Sequence, residues 1–331
     1  MALQEILTQR GIIPAADVNI GDFLYEYETS NRLEIKHIEK ITTAIYDIKY
    51  TDKRVEKINE KGLIYCNNQK HRVDEVSCKE FPFTQPLQLY PVNFNKYNVT
   101  KPLDPDPYVA GALFSYGDYE DEFINLPIIK ESVVDALCNK YAMEIMSIDG
   151  VYHFKYKHED EFVRWKDFFS RYAFYAKNKN PNEPLIPTEY MYTSIKDNLE
   201  FIKGVFDTGY SKQDSPDIVS IKMKDRKRLE IIQRILWSLG IPSYIGNDKG
   251  INKLDIIGKM ESYPGFFYSE DTIAHFINAD ADSYKTNPTF YVMVESVTPS
   301  LLHIHDDWYE FYTDKKHAVY MSSNFLPIIT A

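Results

Sequence analysis

Two short apolar stretches, each with a glycine at its fourth place, constrain this chain more than anything else in it. They are Tyr108-Val-Ala-Gly-Ala-Leu-Phe-Ser-Tyr-Gly117 and Phe201-Ile-Lys-Gly-Val-Phe-Asp-Thr-Gly-Tyr210. Each is followed by a polar turn and then an alternating run. A helix that shows one glycine to its neighbour lets two backbones approach closely. Two such helices are expected to pack on each other as the spine of a two-fold pseudo-symmetric domain.

The surroundings of the second stretch extend this reading. Leu185 to Gly204 leads into the helix, with Ser194 placed to cap it and Asp197 three residues on. A strand follows at Asp217–Met223. Asp225 to Gly240 is amphipathic, with Gly240 at the C-terminal stop, and Ile241 to Ile245 begins another strand. Around the first stretch we expect a strand at Glu122–Leu126 and helices at Glu131–Met143 and Glu159–Tyr172, then a polar linker at Asn178–Asn182. Residues 1–80 read as short strands separated by Gly11, Pro14, Gly21 and Gly62, among them Phe23–Tyr25, Leu33–Ile38 and Ala44–Tyr50. The chain returns to β from Tyr291 onward. Between 81 and 107 six prolines disfavour helix and mark a boundary.

Composition narrows the function classes. The 331 residues carry a net charge of −11, against a general nucleic-acid binder. Residues 101–200, which hold the first glycine stretch, have 11 basic and 18 acidic side chains. A surface for duplex DNA needs the opposite sign. Cys66, Cys78 and Cys138 have no ligand spacing and read as reduced thiols of a reducing, cytoplasmic compartment. No apolar run is long enough for a membrane span, and the start has no signal-peptide pattern. The 26 tyrosines and 19 phenylalanines suit a packed aromatic core, and also a protein-binding surface.

The twin glycine helices, the Ile186-Pro187 and Tyr190 that precede the second, and the helix ending in Leu239-Gly240-Ile241 resemble the LAGLIDADG homing endonucleases. Gly11 to Asp22, Tyr46–Tyr50, Asn68-Gln-Lys-His71, Trp308–Asp314 and His317–Pro327 resemble, in order, the splicing blocks of inteins. The resemblance implies an α+β protein. An all-β Hint-like splicing fold is assembled from both chain ends (1–95 and 287–331). A linker at 96–107 leads to an inserted two-repeat LAGLIDADG-like α/β domain at 108–286, with repeats of about 108–180 and 184–286.

The same resemblance locates the chemistry and finds its residues changed. Splicing needs a nucleophile at the first position and a His-Asn pair before a second nucleophile. Here Ala2 stands at the first, and Ile329, Thr330 and Ala331 at the last three. His71 keeps its place, but without a nucleophile a lone histidine on a β-fold reads as a packed or exposed residue. The nuclease needs an acid near the end of each glycine helix to hold divalent metal. Those positions are Tyr116 and Gly209. The nearest acids are Asp118, two residues late, and Asp207, two early, and two residues turn a helical side chain by about 200°. Lys222, Lys224, Arg226, Lys227 and Arg228 are the candidate DNA contacts. They are interleaved with Asp225 and Glu230, as on a solvated face. The run His303-Ile-His305-Asp-Asp307 offers two imidazoles and carboxylates on alternate sides of a possible strand, and reads as exposed loop residues near a turn.

The expectation is therefore a domesticated intein, neither splicing nor cleaving. It would bind no metal and no cofactor and serve as a structural or binding component among other proteins, in a virion if phage-encoded. The alternatives are a Mg²⁺-dependent LAGLIDADG endonuclease and a non-cleaving DNA-binding protein.

Overall fold

The structure is a computed structural model. It describes residues 4–66, 69–73, 87–94, 102–103, 106–116, 118–120, 123–126, 138, 143–148, 151–156, 186–208, 211–215, 218–257, 268–270, 273–275, 291–292, 294–303 and 305–329. The chain forms two compact units. The first comprises Met1–Lys96, Gly240–Tyr244 and Asn287–Ala331, the second Tyr97–Leu239 and Ile245–Thr286.

The first unit opens with β1 (Glu5–Thr8) and β2 (Gly11–Pro14), an antiparallel hairpin whose turn ends on Gly11 at φ +93°. Then come β3 (Phe23–Tyr25), β4 (Arg32–Tyr50), β5 (Val55–Asn59), β6 (Leu63–Cys66), β7 (Gln69–Arg72) and β8 (Leu87–Gln88). Here one expectation is corrected: Leu33–Ile38 and Ala44–Tyr50 are not two strands but parts of the single 19-residue β4. The polar residues between them suggest a break because Lys36, His37, Glu39, Lys40 and Thr42 are exposed there. The β-branched run Ile41-Thr42-Thr43 favours the extended backbone nonetheless, and a partner strand from the far end of the chain pairs across it.

The second unit contains α1 (Pro107–Tyr116), β9 (Asp118–Glu120), β10 (Phe123–Leu126), β11 (Met143–Ile148) and β12 (Val151–Tyr156). It continues with α2 (Thr188–Met191), α3 (Ile195–Thr208), β13 (Ser211–Ser215), β14 (Ile218–Met223), α4 (Arg226–Ser238), β15 (Ser243–Asp248, whose first two residues fall in the first unit), β16 (Ile251–Ile257), β17 (Tyr268–Glu270) and β18 (Ile273–His275). Its two larger sheets have one topology: β9-β10-β12-β11 and β13-β14-β16-β15. In each, a glycine helix is followed by a hairpin, and the second strand of that hairpin pairs antiparallel with the second strand of the next. Two repeats are thus visible in strand order alone.

Two further corrections fall here. The polar stretch after the second glycine helix is not a turn: Ser211–Ser215 is a strand paired with β14. Met143 opens β11 rather than closing a helix. The rest of the helix expected at Glu131–Met143, apart from Cys138, lies outside the described residues, as do the helix at Glu159–Tyr172 and the linker at Asn178–Asn182.

The last strands return to the first unit. β19 (Tyr291–Val292) pairs with β8, and β20 (Val294–Pro299) pairs with the second half of β4. β21 (His305–Thr313) runs antiparallel along β4 from Ala44 to Ile35, and β22 (Val319–Met321) and β23 (Pro327–Ile329) form a hairpin. One core joins both ends of the sequence. Ile6, Leu24, Leu33 and Ile35 pack with Phe311, Tyr320 and Ile328, and burying each such side chain contributes about 1.5–3 kcal/mol. Among the described residues no helix is long and apolar enough to cross a membrane.

Candidate functional site: the twin-helix seam

α1 and α3 meet backbone to backbone. A Cβ built on Gly111 would lie 1.9 Å from the carbonyl oxygen of Phe201, and one on Gly204 1.9 Å from that of Tyr108. The relation is reciprocal, since each glycine sits on the residue three places before the other. No side chain larger than hydrogen fits at either point. Around the crossing, Val109, Ala110, Ala112, Phe114, Phe201, Ile202, Val205 and Phe206 are all buried, and the rings of Phe114 and Phe201 lie 5.6 Å apart.

The start of α3 is closed as expected. The amide of Asp197 donates to Ser194 Oγ at 3.0 Å, and Ser194 Oγ donates to Asp197 Oδ2 at 2.8 Å. Ser194 thus makes the N-cap arm of a capping box, while Asp197 accepts from the Ser194 hydroxyl and, at 3.0 Å, from that of Thr193. At α4 the cap is Asp225, whose carboxylate accepts from the amide of Lys227 at 2.9 Å. Asp225→Ala is expected to lower stability by about 1 kcal/mol, read from the urea midpoint of the full chain.

The candidate DNA contacts are distributed differently from an open basic face. Lys222 lies within β14, half-buried, and its ammonium is 2.6 Å from Asp248, whose carboxyl is held below the usual range chiefly by that hydrogen bond. Lys224 lies past the end of β14 and is exposed, as is Lys227. Arg226 pairs with Glu230 at 3.0 Å, one helical turn on. Arg228 turns to α1: its Nη1 donates to the carbonyl of Phe114 at 3.1 Å, and its guanidinium carbon lies 5.8 Å from the centre of the Phe114 ring. It therefore satisfies a carbonyl in the last turn of α1, where the helix dipole favours a cation. Sequence reading places Arg228 in a phosphate patch, because the partner carbonyl is 114 residues away in the chain.

Of the residues that the resemblance assigns to a nuclease site, Tyr116 is the last residue of α1, and Asp118 is the first of β9, opposite Asn125. Asp118 is thus on a strand, not on the helix. Asp207 lies in the last turn of α3, while Gly209 lies outside the described residues. Of the residues that the resemblance assigns to splicing, Ile329 is buried in β23 and His71 sits in β7 opposite Ile64, its Nε2 buried without a hydrogen-bond partner among the described residues. Ala2, Thr330 and Ala331 lie outside the described residues. His303, in the loop before β21, has its Nδ1 2.9 Å from Asp306 of that strand, and His305 begins the strand, so His305 and Asp307 are strand and not loop residues. Among the described residues no group of three or more His, Cys, Asp or Glu is placed to hold a metal ion.

A residue that sequence reading passes over is Asn198. It is fully buried on α3, and its amide donates to Ser238 Oγ on α4 at 3.2 Å, while that hydroxyl donates to Ile235 O at 2.7 Å. A polar residue among apolar neighbours was its only signal.

No protein-family model and no curated protein matches the chain. Among solved structures, mesophilic variants of the homing endonuclease I-DmoI align over 46% of this chain and 87% of theirs, at 15% identity and a TM-score of 0.31. The N-terminal LAGLIDADG domain of DUF199/WhiA aligns over 48% of this chain and 80% of its own, at 15% identity and a TM-score of 0.32. Full-length DUF199/WhiA from Thermatoga maritima aligns over 49% of this chain and 55% of its own, at 14% identity and a TM-score of 0.32.

Proposed function

We propose that the second unit is a LAGLIDADG-type twin-helix domain without a metal-held nuclease centre. On this reading the first unit is Hint-like, and the chain acts as a binding or structural component among other proteins. The paired strand orders and the reciprocal glycine contacts support the two-repeat reading. One observation carries the loss of cleavage. The last turn of α1 ends in Tyr116 where the resemblance requires a carboxylate, and the guanidinium of Arg228 is bonded to Phe114 O in that same turn. A fixed cation there opposes a divalent ion and replaces it as partner of the helix end. Within the basic patch, Lys222, Arg226 and Arg228 are each tied to a protein acceptor, which favours a protein partner over phosphate.

The test is incubation of the full chain with a plasmid library and Mg²⁺ or Mn²⁺. The expected result is no nicking above background, and weak retention on duplex DNA that 0.2 M salt abolishes. Metal-dependent nicking that disappears in Asp118→Asn would defeat the proposal, because Asp118 would then be acting as the missing carboxylate.

A further inference from the structure

The first unit holds a cavity of about 110 Å³ between the end of β5, the start of β6, β21 and the final hairpin. Its apolar wall includes Trp308, Phe311 and Tyr320, all buried. Two polar groups on it can accept hydrogen bonds. Asn59 is 3% exposed, and its Nδ2 donates to Glu310 Oε1 at 3.0 Å. A carboxylate only accepts, so this bond fixes which end of the amide is oxygen. The oxygen, Asn59 Oδ1, is buried and has no hydrogen-bond partner among the described residues. A buried acceptor left unmade costs free energy that a donor restores. Glu310 adds a negative charge beside it, and its carboxylate retains lone pairs after accepting from Asn59. The two exposed side chains on the lining that carry or can carry positive charge are Lys61 and His317.

From this arrangement we infer a binding site for a linear ω-ammonium carboxylate, of the kind a C-terminal lysine presents. The ammonium donates to Asn59 Oδ1 and Glu310, where three N–H groups meet acceptors only. The methylene stem lies along Trp308 and Tyr320. The carboxylate meets the exposed cations at the mouth. The site lies in the first unit and is independent of the twin-helix reading. A simple buried water would satisfy Asn59 Oδ1 but would leave the apolar wall and the basic mouth without a role.

The probe is 6-aminohexanoate, added to the isotope-labelled full chain and followed by NMR. Saturable shifts of the Trp308 indole and the Asn59 side-chain amide are expected, with affinity at least tenfold weaker in Glu310→Gln. Pentylamine and hexanoate, each lacking one charged end, are expected to bind at least fivefold more weakly to the unmodified chain. Equal binding of pentylamine would remove the carboxylate from the proposal and overturn it. Preferential binding of hexanoate, or no saturable shift with any of the three, would overturn it as well. If Glu310→Gln does not fold, the comparison of the three probes on the unmodified chain decides alone.

Discussion

Gly204→Ala is expected to destabilise the second unit by about 3 kcal/mol or more, near the upper end of what overpacking costs. The added methyl group would stand 1.9 Å from Tyr108 O and 2.6 Å from the amide nitrogen of Ala112. Both are backbone atoms of α1, so no rotamer change relieves the clash. The helices must separate, and separation withdraws Phe114 from Phe201 and exposes Val205 to a widened seam. Gly111→Ala is expected to do the same against Phe201 O. The two changes share one interface, so the double variant should lose clearly less than the sum of the two. Lys196→Ala, on the exposed face of α3, is the control and should stay within about 0.5 kcal/mol. Urea unfolding of the full chain gives all four values. A Gly204→Ala midpoint equal to that of the control would mean that the helices do not meet as described.

How much of this was legible follows from what kind of signal each element leaves. The glycine pair was readable because close approach admits one residue type and the motif occurs twice. The end of α4 was readable for the same reason: Gly240 has φ +72°, which glycine adopts freely. Strand β13 was not readable, because Ser-Lys-Gln-Asp-Ser has neither alternation nor β-branched residues. Its strand character comes from pairing with Ile218–Ile221. The β11–β12 pair left a signal that helical periodicity obscures, an Asp149-Gly150 step between two apolar runs. The site divides in the same way. The expectation that Tyr116 and Gly209 stand at acid positions is drawn along the chain, from the resemblance. That Arg228 bonds a carbonyl of α1, and that Lys222 is held by Asp248, depend on contacts across 114 and 26 residues, which no local pattern encodes.

The first unit is expected to lose about 3 kcal/mol of stability as pH rises from about 4.5 to about 7, through one buried carboxyl. Glu56, on β5, has its pKa raised to about 7, first by burial. Hydrogen bonds from Ser322 and Asn324, the charge of Arg54 and the backbone of Lys57 act against that rise without cancelling it. Arg54 is shared, being bound to the buried Asp52 at 2.7 Å and to Asn324 O at 2.8 Å. In the unfolded chain Glu56 titrates near the ordinary 4.5. The folded state therefore binds the proton more tightly. The stabilisation is complete below about pH 4.5, falls as pH rises and is gone above about pH 7. A rise of about 2.5 pKa units corresponds to about 3 kcal/mol. The carboxylates of Asp22 and Glu26, whose pKa values are lowered, change stability in the opposite direction and at lower pH, below their unfolded values, so the two effects separate. The strain concentrates at the turn that Glu56 holds. Asn324 Nδ2 donates to Glu56 Oε2 at 3.0 Å, and the next residue, Phe325, is buried at φ +58°, a conformation costly for an aromatic side chain. Glu56→Gln, which imitates the protonated form, should match the unmodified chain at pH 5, exceed it by about 2–3 kcal/mol at pH 8 and flatten the slope between. Urea midpoints of both proteins at the two pH values measure this directly, and equal slopes would show that Glu56 is ionised without penalty and that the turn is held by Arg54 and Asn324 alone.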